Sequence, residues 1–240
     1  MSRMPSPVPE HFPLNTLGPA LKELRAPTGA FDPAGPWQQA YGVYTLAGRT
    51  GRVGRLLLRR RAGQKGNVAI DVRYDKLSNA GRQEVTATMH TRDGLLSKPL
   101  RWTFEYRLLD PAGKPIPHTH LKKTAVVKDG QLEIKDAHGM RRAAVAGEYT
   151  LHWALFDAVQ RLPREKTQPA HFTLIDHFDQ VKPKQVLSFR KATNVRVGGE
   201  QLRLYAYDHV GAGCVPWVYW VDSAGRLLAA VSGLEAYLLA

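Results

Sequence analysis

Cysteine is almost missing from this sequence. Cys214 is the only one in 240 residues, so no disulfide can form within the chain and no cysteine-based metal cluster can be built. Long hydrophobic runs are missing too, and none reaches the length of a membrane-spanning helix. The first residues, punctuated by Pro5, Pro7, Pro9 and Pro13, lack the apolar core of a secretory signal. The chain therefore reads as a cytoplasmic protein or as an exported one whose leader has been removed. Acidic residues are outnumbered, 21 against 34 Lys and Arg, which leaves a net charge of +13. That surplus suits anionic partners such as nucleic acid, acidic glycans or anionic membrane surfaces, and it carries no information about fold.

The signatures of nucleotide and nucleophile chemistry are absent as well. No Gly-x-Gly-x-x-Gly or Walker pattern occurs, and neither Gly-x-Ser-x-Gly nor Ser-x-x-Lys occurs as a strand-turn-helix element, so no cofactor is expected and no catalytic residue is nominated. Cys214, between Gly213 and Val215, reads as a small buried hydrophobe rather than a thiolate.

What the chain has in plenty is period-two alternation. Residues 41–46, 52–61, 68–74, 83–91 and 100–109 are separated by turn-forming clusters, the punctuation of sequential antiparallel strands. Trp102, Phe104, Tyr106 and Leu108 alternate with Thr103, Glu105 and Arg107, giving one buried and one wet face. Further strands fit residues 121–127, 131–135, 170–175, 185–190, 194–197, 201–207, 217–221, 226–231 and 234–239. The same Asp-x-Ala-Gly turn follows two aromatic strands, at Asp110 to Gly113 and at Asp222 to Gly225, and reads as shared turn chemistry.

Two segments depart from this rhythm. Residues 1–36 form a proline-rich arm in which Leu14, Leu17, Leu21 and Leu24 recur at helical spacing, with Pro19 keeping the helix short or kinked. Between residues 148 and 162, Leu151, Leu155, Val159 and Leu162 fall on one helical face beside Phe156, and Pro163 ends the run. The expectation is a single β-rich domain over residues 37–240: an antiparallel meander forming a curved sheet or half-barrel around one central amphipathic helix.

The densest aromatic stretch is Trp217, Tyr219 and Val221 on one face of a strand and Val218 and Trp220 on the other, an arm that should be covered on both sides. The pattern Trp-x-Tyr-Trp-x-Asp-x-x-Gly-Arg-Leu, followed by a short apolar terminal strand, resembles the closing hairpin of bacterial periplasmic proteins of the LolA-like and lipocalin-like kind. The resemblance covers only this last stretch of the chain. It implies a non-enzymatic carrier outside the cytoplasm whose curved sheet wraps helices or a lipid-sized cavity. Trp217, Tyr219, Trp220 and Phe156 are then the candidate ligand contacts, and a hydrophobic small molecule or lipid is the candidate partner.

Other functions compete. No acidic residue lies between Pro33 and Ile70, where Arg49, Arg52, Arg55, Arg59, Arg60, Arg61 and Lys65 cluster. In a strand Arg55, Arg59 and Arg61 share a face while Arg60 lies opposite with Leu56 and Leu58. The stripe either binds an acidic polymer, with Arg55, Arg59, Arg60 and Arg61 as the contacts, or is a solvated face that protects an edge. His118 and His120, two apart, could join His177 in a metal site, although Pro115 and Pro117 favour a loop there. Asp176 and Asp179 flank His177 and could serve as an acid and base pair, with a turn role as the default. A structural role, with sheet edges and the arm driving self-association, fits the composition equally.

Overall fold

The structure, a computed structural model, describes residues 14–46, 51–63, 66–165, 168–197 and 199–240; Gly48, Arg49, Lys65 and Gly198 lie outside them. The alternating stretches become strands at the expected places. They are β1 (Trp37–Thr45), β2 (Gly51–Ala62), β3 (Asn67–Ser78), β4 (Gly81–Arg92), β5 (Lys98–Leu109), β6 (Leu121–Lys128) and β7 (Gln131–Asp136). The polar strand β8 (Gly139–Ala144) and the three-residue β9 (Tyr149–Leu151) lack the alternation that would have announced them. After a helix come β10 (Ala170–Asp176), β11 (Gln180–Val197), β12 (Glu200–Gly211), β13 (Trp217–Val221), β14 (Leu227–Ser232) and β15 (Glu235–Leu239). β11 merges the strands expected at 185–190 and 194–197; residues 191–193, the expected break, stay paired, and the register shift falls just before them, between Phe189 and Lys191.

All fifteen strands form one curved sheet in the order β8-β7-β6-β5-β4-β3-β2-β1-β15-β14-β13-β12-β11-β10-β9. The chain walks from β1 in the middle to one edge, crosses to the opposite edge and walks back, so that β1 and β15 pair, with Tyr41 opposite Leu239 and Thr45 opposite Glu235. Every pairing is antiparallel except β9 with β10, which is parallel. The helix comes after that crossover: it lies between β9 and β10 and makes the connection that a parallel pair requires.

That helix corrects the expectation. Residues 148–162 do not form one amphipathic helix: α1 spans His152–Ala158, a short 3-10 turn follows over Val159–Arg161, and the preceding residues pair as β9. Nor is it two-faced. Ala154, Leu155, Phe156, Asp157, Ala158, Val159 and Gln160 are all buried, so beyond its first turn the helix has protein all round it, while His152 and Trp153 are half-buried. It plugs an inner core that includes Tyr41, Leu58, Ile70, Met89, Trp102, Tyr219 and Tyr237.

A second core lies on the outer face. The arm forms a 3-10 helix over Leu14–Glu23, in keeping with Pro19, which has no N–H for an α-helical bond. Leu14, Leu17 and Leu24 are fully buried against Val218, Trp220, Leu228, Val231 and Leu238. The aromatic strand β13 is therefore covered twice, with Tyr219 and Val221 inward and Trp220 outward beneath the arm.

Among the described residues the two ends of the sheet, β8 and β9, do not join by a backbone ladder. Side chains close the gap instead. The tight turn between β10 and β11 reaches across to β5, where Trp102 Nε1 donates to the Phe178 carbonyl at 3.1 Å and the Phe104 and Phe178 rings lie 4.7 Å apart. Asp179 takes Lys123 at 2.5 Å and Arg141 at 3.1 Å, and Lys98 reaches Glu148 at 3.1 Å. His177 and Phe178 both have positive φ, 47° and 67°, a strain of about 1–2 kcal/mol per residue that these contacts hold in place.

Candidate functional site

The plug is fixed by charge from below and by amides from the side. Asp157 is fully buried, 3.0 Å from Arg60 Nε and 2.7 Å from Arg161, and it accepts from the Ser97 hydroxyl at 2.5 Å. Arg60 and Arg161 both also reach Asp93 at 3.0 Å, and Arg60 donates to the carbonyls of Ala34 and Gly35. At the other side Gln160 Oε1 accepts from Gln39 Nε2 at 2.9 Å and from the Leu227 amide at 3.2 Å, tying the 3-10 turn that follows α1 to β1 and β14.

With the plug fixed, its first turn faces an open cavity of about 500 Å³ between the helix and the inner sheet face. Trp153 is the centre of its aromatic wall, with Tyr74 and Tyr237 each 5.6 Å away by ring centroid. Trp217 lies 5.7 Å from Tyr237 and 5.2 Å from His152. Phe104 and Phe178 line the opposite side, so the closing turn is also part of the wall. Val215 and Leu234, 42% and 55% exposed, form an apolar lip.

The polar groups in this wall are mostly spoken for. Lys182 donates to Asp176 at 2.6 Å, and Lys76 is paired with Glu235, which also accepts from the Tyr237 hydroxyl at 3.0 Å. Burial pushes the Asp176 carboxyl up, but His152 and Lys182 outweigh it and the net shift is down. For Lys182 burial acts downward and the Asp176 hydrogen bond overcomes it, so both partners stay charged. Burial pushes the Cys214 thiol up, against the formation of a thiolate, with Lys182 opposing. Burial also lowers the pKa of His152, and it pushes His209 down to about 4, so these imidazoles are neutral at neutral pH.

Among the residues expected from the sequence, the structure brings some together and separates others. Trp217 lines the cavity, Tyr219 and Phe156 lie beneath its wall with ring centroids 5.8 Å apart, and Trp220 is on the outer face under the arm, out of reach of the interior. Arg55 and Arg59 are exposed on the outer face of β2, while Arg61 is bound by Asp71 through two contacts of 2.6 and 2.9 Å. Arg60 is only 2% exposed and belongs to the Asp157 network, which removes it from any surface stripe. A furrow of about 630 Å³ crosses the outer face past Arg59, Arg73 and Lys122, but Asp71 and Glu105 interrupt its charge.

The three histidines considered for a metal site do not gather, although His177 lines the cavity rim with His152 and His209. His120 is exposed in the loop before β6 and bonded to Glu105 at 3.0 Å, His118 takes φ 62° in that same loop, and His177 is an exposed turn residue. Among the described residues no group of three or more His, Cys, Asp or Glu is placed to hold a metal ion. Asp176 and Asp179 are engaged by lysines rather than by each other. Trp153, Tyr74 and Tyr237, the cavity's main walls, were not singled out in the sequence. They come from the helix, β3 and β15, and no local pattern marks their convergence.

Comparison with known proteins gives a fold and nothing more specific. No family model matches the chain, and no curated protein matches it. Among solved structures it is similar to a β-barrel-like protein of domain of unknown function DUF1849 from Brucella abortus, at 11% identity and a TM-score of 0.54, over 86% of this chain and 96% of that one. The shared feature is the mainly β, barrel-like architecture. Among the described residues no helix is long and apolar enough to cross a membrane, which says nothing about strands.

Proposed function

We propose that this is a non-catalytic binding or carrier protein that takes an apolar small molecule or a lipid chain into the cavity beside α1. The observation that carries the reading is the aromatic wall of Trp153, Tyr237, Tyr74 and Trp217 around about 500 Å³ of space, a volume within the range of small-molecule sites. The chemistry of the lining supports it. Its acids and amines neutralise one another in pairs and its thiol is held protonated, which suits holding a molecule better than transforming it. The weak likeness of the closing hairpin to LolA-like and lipocalin-like carriers points the same way. The test is titration with the environment-sensitive probe N-phenylnaphthylamine. Saturable enhancement that is abolished by Val85→Lys, which places an ammonium inside the cavity, is the expected result. Enhancement that survives Val85→Lys would refute the assignment to this cavity.

One observation favours a second reading. Arg55, Arg59, Arg73 and Arg101 are exposed on the outer face of β2, β3 and β5, a basic surface that an acidic polymer could contact. That reading expects retention on heparin that falls steeply with salt and weakens when Arg55, Arg59 and Arg73 are replaced by Ser. Retention unchanged by those substitutions excludes it.

A further inference from the structure

One polar atom in the cavity wall meets no hydrogen-bond partner among the described residues. His209 lines the cavity and is 1% exposed. Its orientation and tautomer follow from its neighbour Gln185 on β11. The Gln185 amide nitrogen donates to the carbonyls of Pro183, at 2.9 Å, and Ala212, at 3.1 Å. With both amide hydrogens committed to carbonyls, Gln185 can present only its oxygen to a third group. That oxygen lies 3.0 Å from His209 Nε2. An oxygen acceptor there requires the hydrogen on Nε2, and in a neutral imidazole the other nitrogen, Nδ1, then keeps its lone pair. Nδ1 is buried and meets no hydrogen-bond partner among the described residues.

The arrangement is built into the chain rather than incidental. Gly211 makes room for it: a Cβ at that position would fall 2.1 Å from Gln185 Oε1 and 2.6 Å from its Nε2. The Phe172 ring, 5.4 Å from the imidazole by centroid, packs beside it. A buried acceptor without a donor costs free energy, and a molecule held in the cavity with a donor of its own would supply the missing bond.

We propose that His209 Nδ1 is the polar anchor of the cavity, and that its ligand is an apolar molecule carrying a hydroxyl or N–H donor. This rests on the reading of the cavity as an apolar binding site and makes it more specific. An ether or ester of the same shape offers the lone pair nothing. A carboxylate would need a protonated imidazole, which burial and the neighbouring His152 oppose, with Asp176 acting the other way.

The experiment compares naphthol with methoxynaphthalene, which differ in the donor, as competitors of bound N-phenylnaphthylamine at pH 7.5. The inference expects naphthol to compete at least about tenfold better, roughly the worth of one buried hydrogen bond. It expects His209→Phe to abolish the difference between naphthol and methoxynaphthalene. Equal competition by the two on the native protein overturns the inference while the cavity reading stands, since solvent then serves Nδ1. Competition by neither overturns the cavity reading and the inference together. Nitrogen NMR of the native protein keeps the proposal testable if His209→Phe does not fold. An unprotonated Nδ1 whose resonance moves with naphthol and not with methoxynaphthalene supports it, and a protonated Nδ1 sinks it.

Discussion

Replacing Arg60 by Met leaves the fully buried Asp157 facing one guanidinium instead of two and strips Asp93 of half its pairing. Breaking a buried pair from one side costs about 3–5 kcal/mol, and chemical denaturation should read a loss of that size. Arg59→Met, one residue away but exposed, should change stability by less than about 0.5 kcal/mol. His209 gives a pH dependence with a definite sign. Its folded pKa, about 4, lies below the ordinary 6.5, so its contribution is fully present above pH 6.5 and is lost as the pH falls toward 4. The shift corresponds to about 3 kcal/mol, and His209→Phe should lose less stability between pH 7 and pH 4 than the native chain by about that amount. Equal losses would mean that the imidazole is not buried neutral. The face of Arg60 was legible, since period two puts it with Leu56 and Leu58. Its partners Asp93 and Asp157 were not, because they lie in other elements far along the chain.

Turns and strands offer cleaner comparisons. The two Asp-x-Ala-Gly turns are closed by the same three bonds. The Gly amide donates to the Asp carbonyl, the next amide donates to the Asp side chain at 2.8 Å, and the Asp amide donates back at 2.9 Å. Both glycines have positive φ, 79° at Gly113 and 91° at Gly225, but a Cβ meets nothing within 4 Å at Gly113 and the Gln160 carbonyl at 2.6 Å at Gly225. Gly113→Ala should therefore cost only the left-handed penalty of about 1–2 kcal/mol. Gly225→Ala should cost visibly more, because it also pushes the hairpin off the end of the plug. Equal costs would show that this contact contributes nothing. Trp220→Ala should cost about 3–5 kcal/mol by emptying the core beneath the arm. At this scale the sequence was informative wherever one face of a strand is buried. It failed at β8, where five of six residues are exposed, and it overextended α1, whose leucine spacing marked a helix but not its start at His152 nor the burial of Ala154 to Ala158 around the whole turn.

For the molecule as a whole, the paired strands β1 and β15 put both ends of the sheet path at its centre, and the helix that joins the parallel edge pair β9 and β10 packs into the curve. The cavity is a consequence: α1 fills one part of the curve, the turn at His177 and Phe178 closes another, and the space between them is lined by aromatics from elements distant in sequence. The curved sheet and a helix inside it were foreseeable from alternation and the break at residues 148–162. A void of this shape was not, because it depends on which side chains meet across the gap. The measurement that tests this account most directly is an NMR titration of the five tryptophan indole signals with N-phenylnaphthylamine. Saturable shifts of Trp153 and Trp217, with Trp220 unmoved beneath the arm, are the predicted result. Shifts confined to Trp220, or no shift of Trp153 and Trp217 at saturating probe, would contradict it.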